Sequence, residues 1–508
     1  MITRAADGDT MADRAEQYFN RGSEAADKGD FAQAVDYYDM ALAINPKIDG
    51  GWICRGIALN ELGHHAEALE SLDKEIGINP DSAPAWINRG NALRGLGRFE
   101  EAIASYDRSI ELSPKFAGAW MFRGIALGDL GRYEEAIECY DRAIAMLPII
   151  AEMWFYRGIA LGSLGRHAEG LASFEKALEL DPGFVKAWVY RGVALGLLGR
   201  MSEAVESYDG ALALDASNSK AWHNRANALS DLGRYDEALA SYDQAVTLDP
   251  QNEFLWTDRG LMLGGLGRYG EALASFMQAV EANEGFARGW VNVGVAMDAV
   301  GRRGEAVEAF DNALALDPST PLVWFNRGNA LYGLGRCEEA LESYDRAISI
   351  SPDFASAWFN RGTVLASLGR HDDALASFEK TLIIDPGHAG AWLNRGVALA
   401  ELGEHQGAIA SYDRALSVDP EDFKAWFGLG VSLDELGHHE RAIASYDKAT
   451  ALNPMHAKSW YNRGNALLEL GRIAEAVDSY DRAISINADY EEARRNRSLA
   501  LGRMGTKP

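Results

Sequence analysis

Cysteine is scarce in this chain of 508 residues, which contains only Cys54, Cys139 and Cys337. The three lie far apart and none belongs to a CxxC pair. The sequence therefore offers neither a disulfide framework nor the usual ligand spacing of a structural zinc site. A reducing compartment is the simpler interpretation, and we expect a cytoplasmic protein.

Positive charge and long apolar runs are also in short supply. Lys and Arg number 49 against 75 Asp and Glu, which gives a net charge of −26. Nucleic acids and anionic membranes are bound by clustered Lys and Arg, so neither is expected as a partner. No run of about 18 apolar residues is present to cross a bilayer. We also expect no signal peptide, because the first residues have no apolar core.

Tryptophan, by contrast, is placed with a regular period. The interval from Trp52 to Trp86 is repeated without exception up to Trp460, and Tyr18 stands one such interval before Trp52. Fourteen repeats of this length, numbered 1 to 14, therefore run from Ala15 to Tyr490. Periods of roughly 20–50 residues are typical of a solenoid, in which each repeat packs on its neighbours.

Each repeat carries the signals of two helices. In repeat 3, Ala83–Phe116, positions 4, 8 and 11 share one helical stripe, and Gly97 at position 15 can end that helix. A second stripe includes Ala102 and Tyr106 and ends before Pro114 at position 32, which cannot continue a helix. Gly occupies position 15 in all 14 repeats, and Pro occupies position 32 in 11. Two antiparallel helices joined by a tight turn are therefore predicted for each repeat.

Small residues predict a close approach of the two helices. Position 8 is Gly in 13 repeats and Ala226 in the other, and position 20 is Ala in 13 repeats and Gly170 in the other. Gly inside a helix costs roughly 1 kcal/mol relative to Ala, so its recurrence indicates that tight packing offsets the cost. Bulky side chains at positions 4 and 24 are expected to fill the space that remains.

The pattern resembles the tetratricopeptide repeat (TPR) family, whose 34-residue helix–turn–helix units have the same period and follow W-x-x-L-G-x-x-Y…A-x-x-x-F…P. Trp86, Gly90, Ala102, Tyr106 and Pro114 match it, and residues 15–490 repeat it. The resemblance implies an all-α solenoid, a right-handed superhelix of helix–turn–helix repeats whose first helices line a concave groove. It also implies a binding scaffold without catalysis. Position 7 departs from the family pattern, since it is Arg in 12 repeats where an apolar residue is usual.

This interpretation divides the chain into three parts. Residues 1–14 are expected to be a short mobile segment, and residues 15–490 form the 14 repeats. Residues 491–508 are expected to be a charged capping helix and tail, in which Arg494 replaces Trp. Such a cap covers the apolar face that the last repeat of a solenoid would otherwise expose.

The Arg at position 7 is predicted to pair with an acid of the preceding repeat. Position 25 is Asp or Glu in 13 repeats and precedes the next position 7 by a constant interval, as Asp39 precedes Arg55. Met277, the exception at position 25, precedes Val293, so both charges are lost at one junction. Leu429, which follows an acid, breaks the rule. The rival interpretation is an Arg row that points into the groove and binds anions.

Asparagine recurs on the side of the first helix opposite positions 4, 8 and 11, where the groove is expected. Amides can donate to and accept from a peptide backbone without demanding particular side chains. This recurring row of Asn residues, called here the Asn ladder, resembles the one in the peptide-binding groove of the protein O-GlcNAc transferase repeats. The alternative is that Asn only solvates an exposed helix face. The candidate ligand-binding residues at positions 6 and 9 are Asn88, Asn91, Asn224, Asn227, Asn326, Asn329, Asn360, Asn394, Asn462 and Asn465.

Apolar and aromatic residues interrupt the ladder in repeats 4 to 6, with room left beside them by Gly128, Gly162 and Gly196. An exposed stretch of this kind marks a contact surface. Coverage by the superhelix itself or a dimer contact is the alternative. The candidate binding residues, expected to be partly exposed and mutually close, are Met121, Phe122, Phe155, Tyr156 and Tyr190, with Ile125, Ile159, Val189 and Val193 beside them.

The junction of repeats 8 and 9 is predicted to be the softest part of the solenoid. Glu284 replaces Pro at position 32, and Gly270, Gly285, Gly289 and Gly304 surround it. Additional Gly raises the entropy lost on ordering, and a weak interface in a chain of nearest-neighbour contacts opens first.

No arrangement of residues points to catalysis or metal binding. His64–His65 and His438–His439 fall in turns without further ligands, and no Cys has a His at a useful spacing. We predict no catalytic residues, no metal site and no cofactor. Position 5 is never Lys or Arg, which argues against a clamp for a partner's C-terminal carboxylate.

The predicted function is a non-catalytic protein–protein interaction scaffold that binds a partner peptide or segment in its groove. One alternative is a specificity module for an enzyme on another chain, as the glycosyltransferase resemblance implies. Another is a structural solenoid that self-associates. Capture of partners followed by mass spectrometry separates the first two, and sedimentation at several concentrations tests the third.

Overall fold

A computed structural model describes residues 11–505, and this part of the chain forms helices and turns without β-strands. The chain falls into two compact units, called here the N-terminal body, which ends at Asp249, and the C-terminal body, which begins at Pro250. Residues 1–10 and 506–508, part of the expected terminal segments, lie outside the described residues. The predicted all-α architecture of consecutive helix pairs is confirmed within each body.

In the N-terminal body, the odd-numbered helix of each pair is the first helix of a repeat and the even-numbered helix is the second. The helices are α1 (Met11–Asp27), α2 (Phe31–Ile44), α3 (Gly51–Glu61), α4 (His65–Ile78), α5 (Ala83–Gly95), α6 (Phe99–Leu112), α7 (Ala117–Asp129), α8 (Tyr133–Met146), α9 (Ala151–Ser163), α10 (His167–Leu180), α11 (Val185–Leu197), α12 (Met201–Leu214), α13 (Ser219–Asp231) and α14 (Tyr235–Leu248).

In the C-terminal body the same alternation continues and ends on one additional helix. The helices are α15 (Glu253–Gly265), α16 (Tyr269–Ala282), α17 (Ala287–Ala299), α18 (Arg303–Leu316), α19 (Pro321–Gly333), α20 (Cys337–Ile350), α21 (Ala355–Ser367), α22 (His371–Ile384), α23 (Ala389–Glu401), α24 (His405–Val418), α25 (Phe423–Glu435), α26 (His439–Leu452), α27 (Ala457–Glu469), α28 (Ile473–Ile486) and α29 (Glu491–Gly505).

The turn inside each repeat depends on the Gly at position 15. In repeat 3, Gly97 has a φ of +72°. The N–H of Arg98 donates to the carbonyl of Leu93 at 2.9 Å, which closes the first helix in a Schellman motif. Every position-15 Gly, from Gly29 to Gly471, has a φ between +70° and +83°, so the predicted helix stop is confirmed.

The Gly at position 8 makes room for the ring at position 24. A Cβ placed on Gly90 would lie 2.4 Å from Cε1 of Tyr106, and one on Gly328 would lie 2.7 Å from Cε1 of Tyr344. Both tyrosines are fully buried, and burial raises the pKa of each phenol. The close approach predicted from the small residues is therefore confirmed.

The Trp at position 4 ties each repeat to the loop that precedes it. Nε1 of Trp86 donates to the backbone carbonyl of Pro80 at 2.8 Å. The other Trp residues make the same bond six residues back, at 2.9–3.2 Å. Ala216 and Glu284 supply the carbonyl where Pro is missing, so the bond needs the backbone oxygen rather than the Pro ring.

The predicted Arg–acid pairs join consecutive repeats. Nε of Arg89 lies 2.7 Å from Oδ1 of Asp73, while Nη1 donates to Oγ of Ser105 in its own repeat at 2.8 Å. The Ser hydroxyl in turn donates to the carbonyl of Glu101 at 2.9 Å. We call this set of acid, Arg and Ser the repeat clamp; the sequence pattern did not predict its Ser, at position 23.

The Arg–acid contact recurs within both bodies, so the structural interpretation of the Arg row is confirmed and the anion-binding interpretation is wrong. Eight further pairs have closest distances of 2.6–2.9 Å, and Arg191 lies 3.5 Å from Glu175. The eight are Arg55–Asp39, Arg123–Asp107, Arg157–Asp141, Arg225–Asp209, Arg327–Asp311, Arg361–Asp345, Arg395–Glu379 and Arg463–Asp447.

Repeats 8 and 9 replace all three members of the clamp with apolar residues. Met277 stands at the acid position, Val293 at the Arg position and Ala309 at the Ser position. Val293 and Ala309 are buried, while Met277 is 47% exposed. Because the three change together, no charged partner is left buried, but the junction loses its charge-assisted hydrogen bonds.

Within the C-terminal body, hydrogen exchange is expected to be faster at this junction than at a junction that keeps its clamp. A hydrogen bond to a charged group contributes about 1.5–3 kcal/mol, so amides of α16 and α17 should exchange at least about tenfold faster than those of α20 and α21. The latter pair keeps its clamp through Asp345, Arg361 and Ser377. Equal protection at the two junctions would contradict the prediction.

Gly289 does not loosen the junction of repeats 8 and 9, contrary to the prediction from the sequence. The sequence pattern presents Gly289 as a source of flexibility, yet a Cβ there would lie 2.7 Å from Cδ1 of Phe286 and 2.8 Å from Cγ1 of Val280. Gly289 therefore permits close packing. Gly270 and Gly304, by contrast, have nothing within 4 Å of an added Cβ and contribute only entropy.

The two ends of the described chain are helical. α1 begins at Met11, inside the segment that the sequence predicts to be mobile. α29 contacts α28 and keeps the register of a first helix, since Arg497 pairs with Asp481 and Asn496 donates to Asn465 at 2.9 Å. Between residues 11 and 505, no helix combines the length and the apolar character needed to cross a membrane.

Candidate functional site

The predicted aromatic surface lies on α7, α9 and α11, the first helices of repeats 4 to 6. The side chain at position 6 of one repeat meets the side chain at position 24 of the preceding repeat. In the chain, these two positions are separated by the same interval as a clamp Arg and its acid. Phe122 stacks on Tyr106 with ring centroids 6.2 Å apart, and Tyr156 stacks on Tyr140 at 6.3 Å. The surface is therefore built on the same repeat-to-repeat register as the clamp.

Phe155 was expected to be partly exposed, but it is buried, with only 4% of its surface accessible. Its ring lies 4.8 Å from that of Phe184 and 5.4 Å from that of Tyr190. Position 5 therefore contributes to the packing between repeats. Ile125 and Val189 are buried as well, at 7% and 5% exposed.

The remaining predicted residues are half-buried and fall into two groups. Tyr156 and Tyr190 both pack on Phe155. The centroid of each tyrosine ring lies 5.4 Å from the centroid of the Phe155 ring. Phe122 packs on Tyr106 of the preceding repeat, and Met121 lies half-buried beside it in α7. The expected closeness thus holds for repeats 5 and 6.

A pocket of about 210 Å³ opens between α9 and α11, and we call it the groove pocket. Gly162 provides the room, because a Cβ placed there would meet nothing within 4 Å. Apolar side chains make up most of the wall. The lining residues are Gly158, Ile159, Gly162, Ser163, His167, Phe174, Tyr190, Val193, Ala194 and Leu197.

Leu197 belongs to this pocket and was not among the predicted site residues. It is 63% exposed, an unfavourable position for a large aliphatic side chain. The sequence contains a signal that could have found it, because position 13 carries Asp, Glu, Gly, Ser or Ala in the other 13 repeats. His167 and Phe174 come from α10, so only the fold brings them to the pocket.

The Asn residues at position 9 bind tyrosines of their own repeats. Oδ1 of Asn91 accepts from the hydroxyl of Tyr106 at 2.8 Å. A buried phenol needs such a partner, so the amide oxygen serves the fold. The same pairing is made by Asn227 with Tyr242, Asn329 with Tyr344, and Asn465 with Tyr480.

Several position-6 amides have partners inside the protein as well. Nδ2 of Asn360 donates to Oδ1 of Asn329 at 2.8 Å, across the junction of two repeats. Nδ2 of Asn88 donates to the carbonyl of Pro84 at 2.9 Å. The Asn side chains at positions 6 and 9 are therefore not all free to bind a ligand, and they do more than solvate an exposed helix face. The other candidates, all half-buried, are Asn224, Asn326, Asn394 and Asn462.

The adjacent histidines of the turns are held by polar neighbours. Nδ1 of His65 lies 3.2 Å from Oδ1 of Asn60, and Nδ1 of His439 lies 2.7 Å from Oδ1 of Asp434. Burial raises the pKa of the Asp434 carboxyl. Within residues 11–505, no three His, Cys, Asp or Glu side chains are grouped so that they could hold a metal ion.

Comparison with proteins of known sequence shows a short match to a curated relative. An uncharacterized protein of Methanocaldococcus jannaschii is 37% identical over 49 residues, which is 10% of this chain. The match covers 57% of that protein, less than two thirds of its length.

Solved structures similar to this chain include several TPR proteins. YrrB, described as a TPR protein with an unusual peptide-binding site, is 26% identical over 38% of this chain and 99% of its own, with a TM-score of 0.35. A thermophilic TPR protein of Thermus thermophilus is 22% identical over 36% of this chain and 98% of its own, with a TM-score of 0.32. The APC/C hetero-tetramer Cut9–Hcn1 is 16% identical over 96% of both chains, with a TM-score of 0.40.

The family comparison covers most of the sequence. A profile described as tetratricopeptide repeat matches residues 53–117, 87–148, 123–183, 157–219, 257–321, 296–353, 325–389, 362–423, 393–449 and 427–492. A second profile of the same description matches residues 15–48 and 219–252. Because these matches extend over far more than half of the sequence, the chain belongs to the tetratricopeptide repeat family.

Proposed function

We propose that this protein is an interaction scaffold whose groove pocket receives an apolar side chain from a segment of a partner protein. The observation that carries the proposal is the pocket itself, about 210 Å³ in volume, with Leu197 63% exposed at its wall. Burying a side chain such as Leu contributes about 1.5–3 kcal/mol, so filling the pocket is favourable for both partners.

Half-buried amides in the same body support the binding of an extended segment. Asn224 lies on the first helix of repeat 7, immediately after the pocket in the chain. Asn88, on the first helix of repeat 3, donates one amide N–H to Pro84 and carries a second N–H that a ligand could use. Amides satisfy backbone groups of any sequence, whereas the apolar pocket selects a side chain. The proposed division of roles is therefore affinity from the amides and specificity from the pocket.

Peptide selection on the whole 508-residue chain tests the proposal. Random dodecapeptides displayed on phage should yield binders that carry a large apolar residue. Replacing Leu197→Glu places a charge at the pocket wall and is expected to weaken the selected peptides by at least about tenfold, corresponding to about 1.4 kcal/mol. Fluorescence anisotropy with labelled peptides measures the change.

Ile149→Glu is the matched control, because Ile149 is 68% exposed in the same body and does not line the pocket. It should leave the affinity within about twofold of the original value. Failure to select any peptide, or equal weakening by both variants, would count against the groove pocket. Concentration-dependent sedimentation that Leu197→Glu abolishes would instead identify a second copy of the chain as the occupant.

A further inference from the structure

A second cleft lies in the C-terminal body between the second helices α16 and α18, at the junction of repeats 8 and 9, where all three clamp residues are replaced. Its volume is about 540 Å³. Met277, Val280 and Leu316 provide apolar wall, and Trp290 of α17 also lines it. We call it the Trp290 cleft. It shares no residue with the groove pocket.

Three other repeats place a cation from position 26 over their Trp ring. The Nζ atom of Lys74 lies 4.5 Å from the ring centroid of Trp52. The guanidinium carbon of Arg142 lies 4.6 Å from that of Trp120. In both cases the cation comes from position 26 of the same repeat, and Arg414 covers Trp392 in the same way at 5.4 Å. A cation over an indole face is attracted by the negative potential of the ring.

Repeat 9 has no such cation of its own. Position 26 is Asn312, and position 7, which places an Arg within 6 Å of the ring in several repeats, is Val293. Among the 13 repeats with Trp, repeat 9 alone has no basic residue at either position. Trp290 therefore lines an open cleft where other repeats supply a positive charge.

The charge around the cleft favours a cation from outside. Glu281 and Glu284 line it, both exposed, and no Lys or Arg is among its lining residues. Position 26 of the preceding repeat is also neutral, as Gln278. A basic side chain entering the cleft would meet an indole ring, two carboxylates and an apolar wall.

We propose that the Trp290 cleft binds a partner protein through a Lys or Arg side chain placed over the indole ring, with an adjacent apolar residue against Met277 and Leu316. The basic residue occupies the place that Lys74, Arg142 and Arg414 occupy in their own repeats. The partner segment thus combines positive charge with large apolar side chains. This site is independent of the groove pocket, so either can fail alone.

Fluorine NMR of the full chain labelled with 5-fluorotryptophan tests the proposal, with Trp290→Phe identifying the Trp290 signal. The probe is an octapeptide that alternates Lys or Arg with Leu or Met. It should shift the Trp290 signal in a saturable way. The same peptide with acetyl-lysine and citrulline in place of Lys and Arg keeps the shape but loses the charge, and is expected to bind about tenfold more weakly.

Asn312→Arg restores the residue type found at position 26 in other repeats and should prevent the shift by covering Trp290 from within. Gln244→Arg, the same charge change at position 26 of repeat 7, is the control and should leave the shift intact. The proposal is overturned if the basic octapeptide leaves the Trp290 signal unmoved, if the uncharged peptide binds equally well, or if Asn312→Arg has no effect. A shift that appears with protein concentration alone would assign the cleft to a second copy and overturn it too.

Discussion

Gly158→Ala is expected to lower the free energy of unfolding by about 1–3 kcal/mol, because the added methyl group must displace the buried ring that it faces. A Cβ on Gly158 would lie 2.6 Å from Cε1 of Phe174, a ring that is 3% exposed and packs on the rings of Phe155 and Tyr190, with centroids 6.0 Å apart in both cases. Repeat 7 carries Ala226 opposite Tyr242, which shows that backbone adjustment can accommodate one methyl group. The cost is therefore expected toward the lower end of the range.

Gly162→Ala, one helical turn later in α9, is the matched control. Nothing lies within 4 Å of the added Cβ, so the higher helix propensity of Ala should raise the free energy of unfolding by up to about 1 kcal/mol. Urea denaturation followed by circular dichroism measures both changes. Opposite signs are expected, and a loss of similar size in both variants would show that the ring packing does not determine the role of position 8.

Removing one member of the repeat clamp is expected to have the second large effect. In Arg361→Val, Asp345 loses its contact at 2.7 Å and Ser377 loses the donor to its Oγ at 2.7 Å. Because the Asp345 side chain is 57% exposed and can be solvated again, we expect a loss of about 1–3 kcal/mol rather than the 3–5 kcal/mol of a fully buried pair. Urea denaturation and the melting temperature report the change.

The junction of repeats 8 and 9 supplies the matched variant for this experiment. Combining Asp345→Met and Ser377→Ala with Arg361→Val reproduces the natural set Met277, Val293 and Ala309. The triple variant should be more stable than Arg361→Val alone, because no polar partner is left behind. If the changes in the free energy of unfolding from the three substitutions are additive, the clamp does not act as a unit. The joint replacement of its residues in repeats 8 and 9 then has another origin.

Much of the fold follows from the sequence because its rules are local and repeat 14 times. The Gly at position 15 ends each first helix through its own backbone conformation, which no neighbour has to impose. The second helices end at the equivalent residue with or without Pro at position 32, as at Leu112 before Pro114 and at Leu214 before Ala216. The pairing of Asp73 with Arg89 could also be predicted, since a constant spacing that recurs along the chain reports one geometry many times. Loss of both charges at Met277 and Val293 supported the same register.

The tertiary structure alone decided which side chains of the aromatic surface are exposed. Successive residues of a helix point about 100° apart, so Phe155 and Tyr156 differ in burial although they are neighbours of similar size. Phe155 is covered because Phe184 and Tyr190, which follow it in the chain, pack on it. Periodicity identified the helix and its approximate face, but burial depends on how the following repeat is placed.

The sequence alone also could not predict the hydrogen-bond partners of the Asn side chains, the groove pocket or the Trp290 cleft. The sequence by itself determined the helix pairs, their small-residue contacts and the Arg–acid register, since each depends on spacing along the chain. Only the folded structure showed that Asn91 accepts from Tyr106, that Leu197 lines a pocket and that Trp290 lines an open cleft. Hydrogen bonds and cavities depend on distances between atoms of different helices, and packing, rather than periodicity, sets those distances.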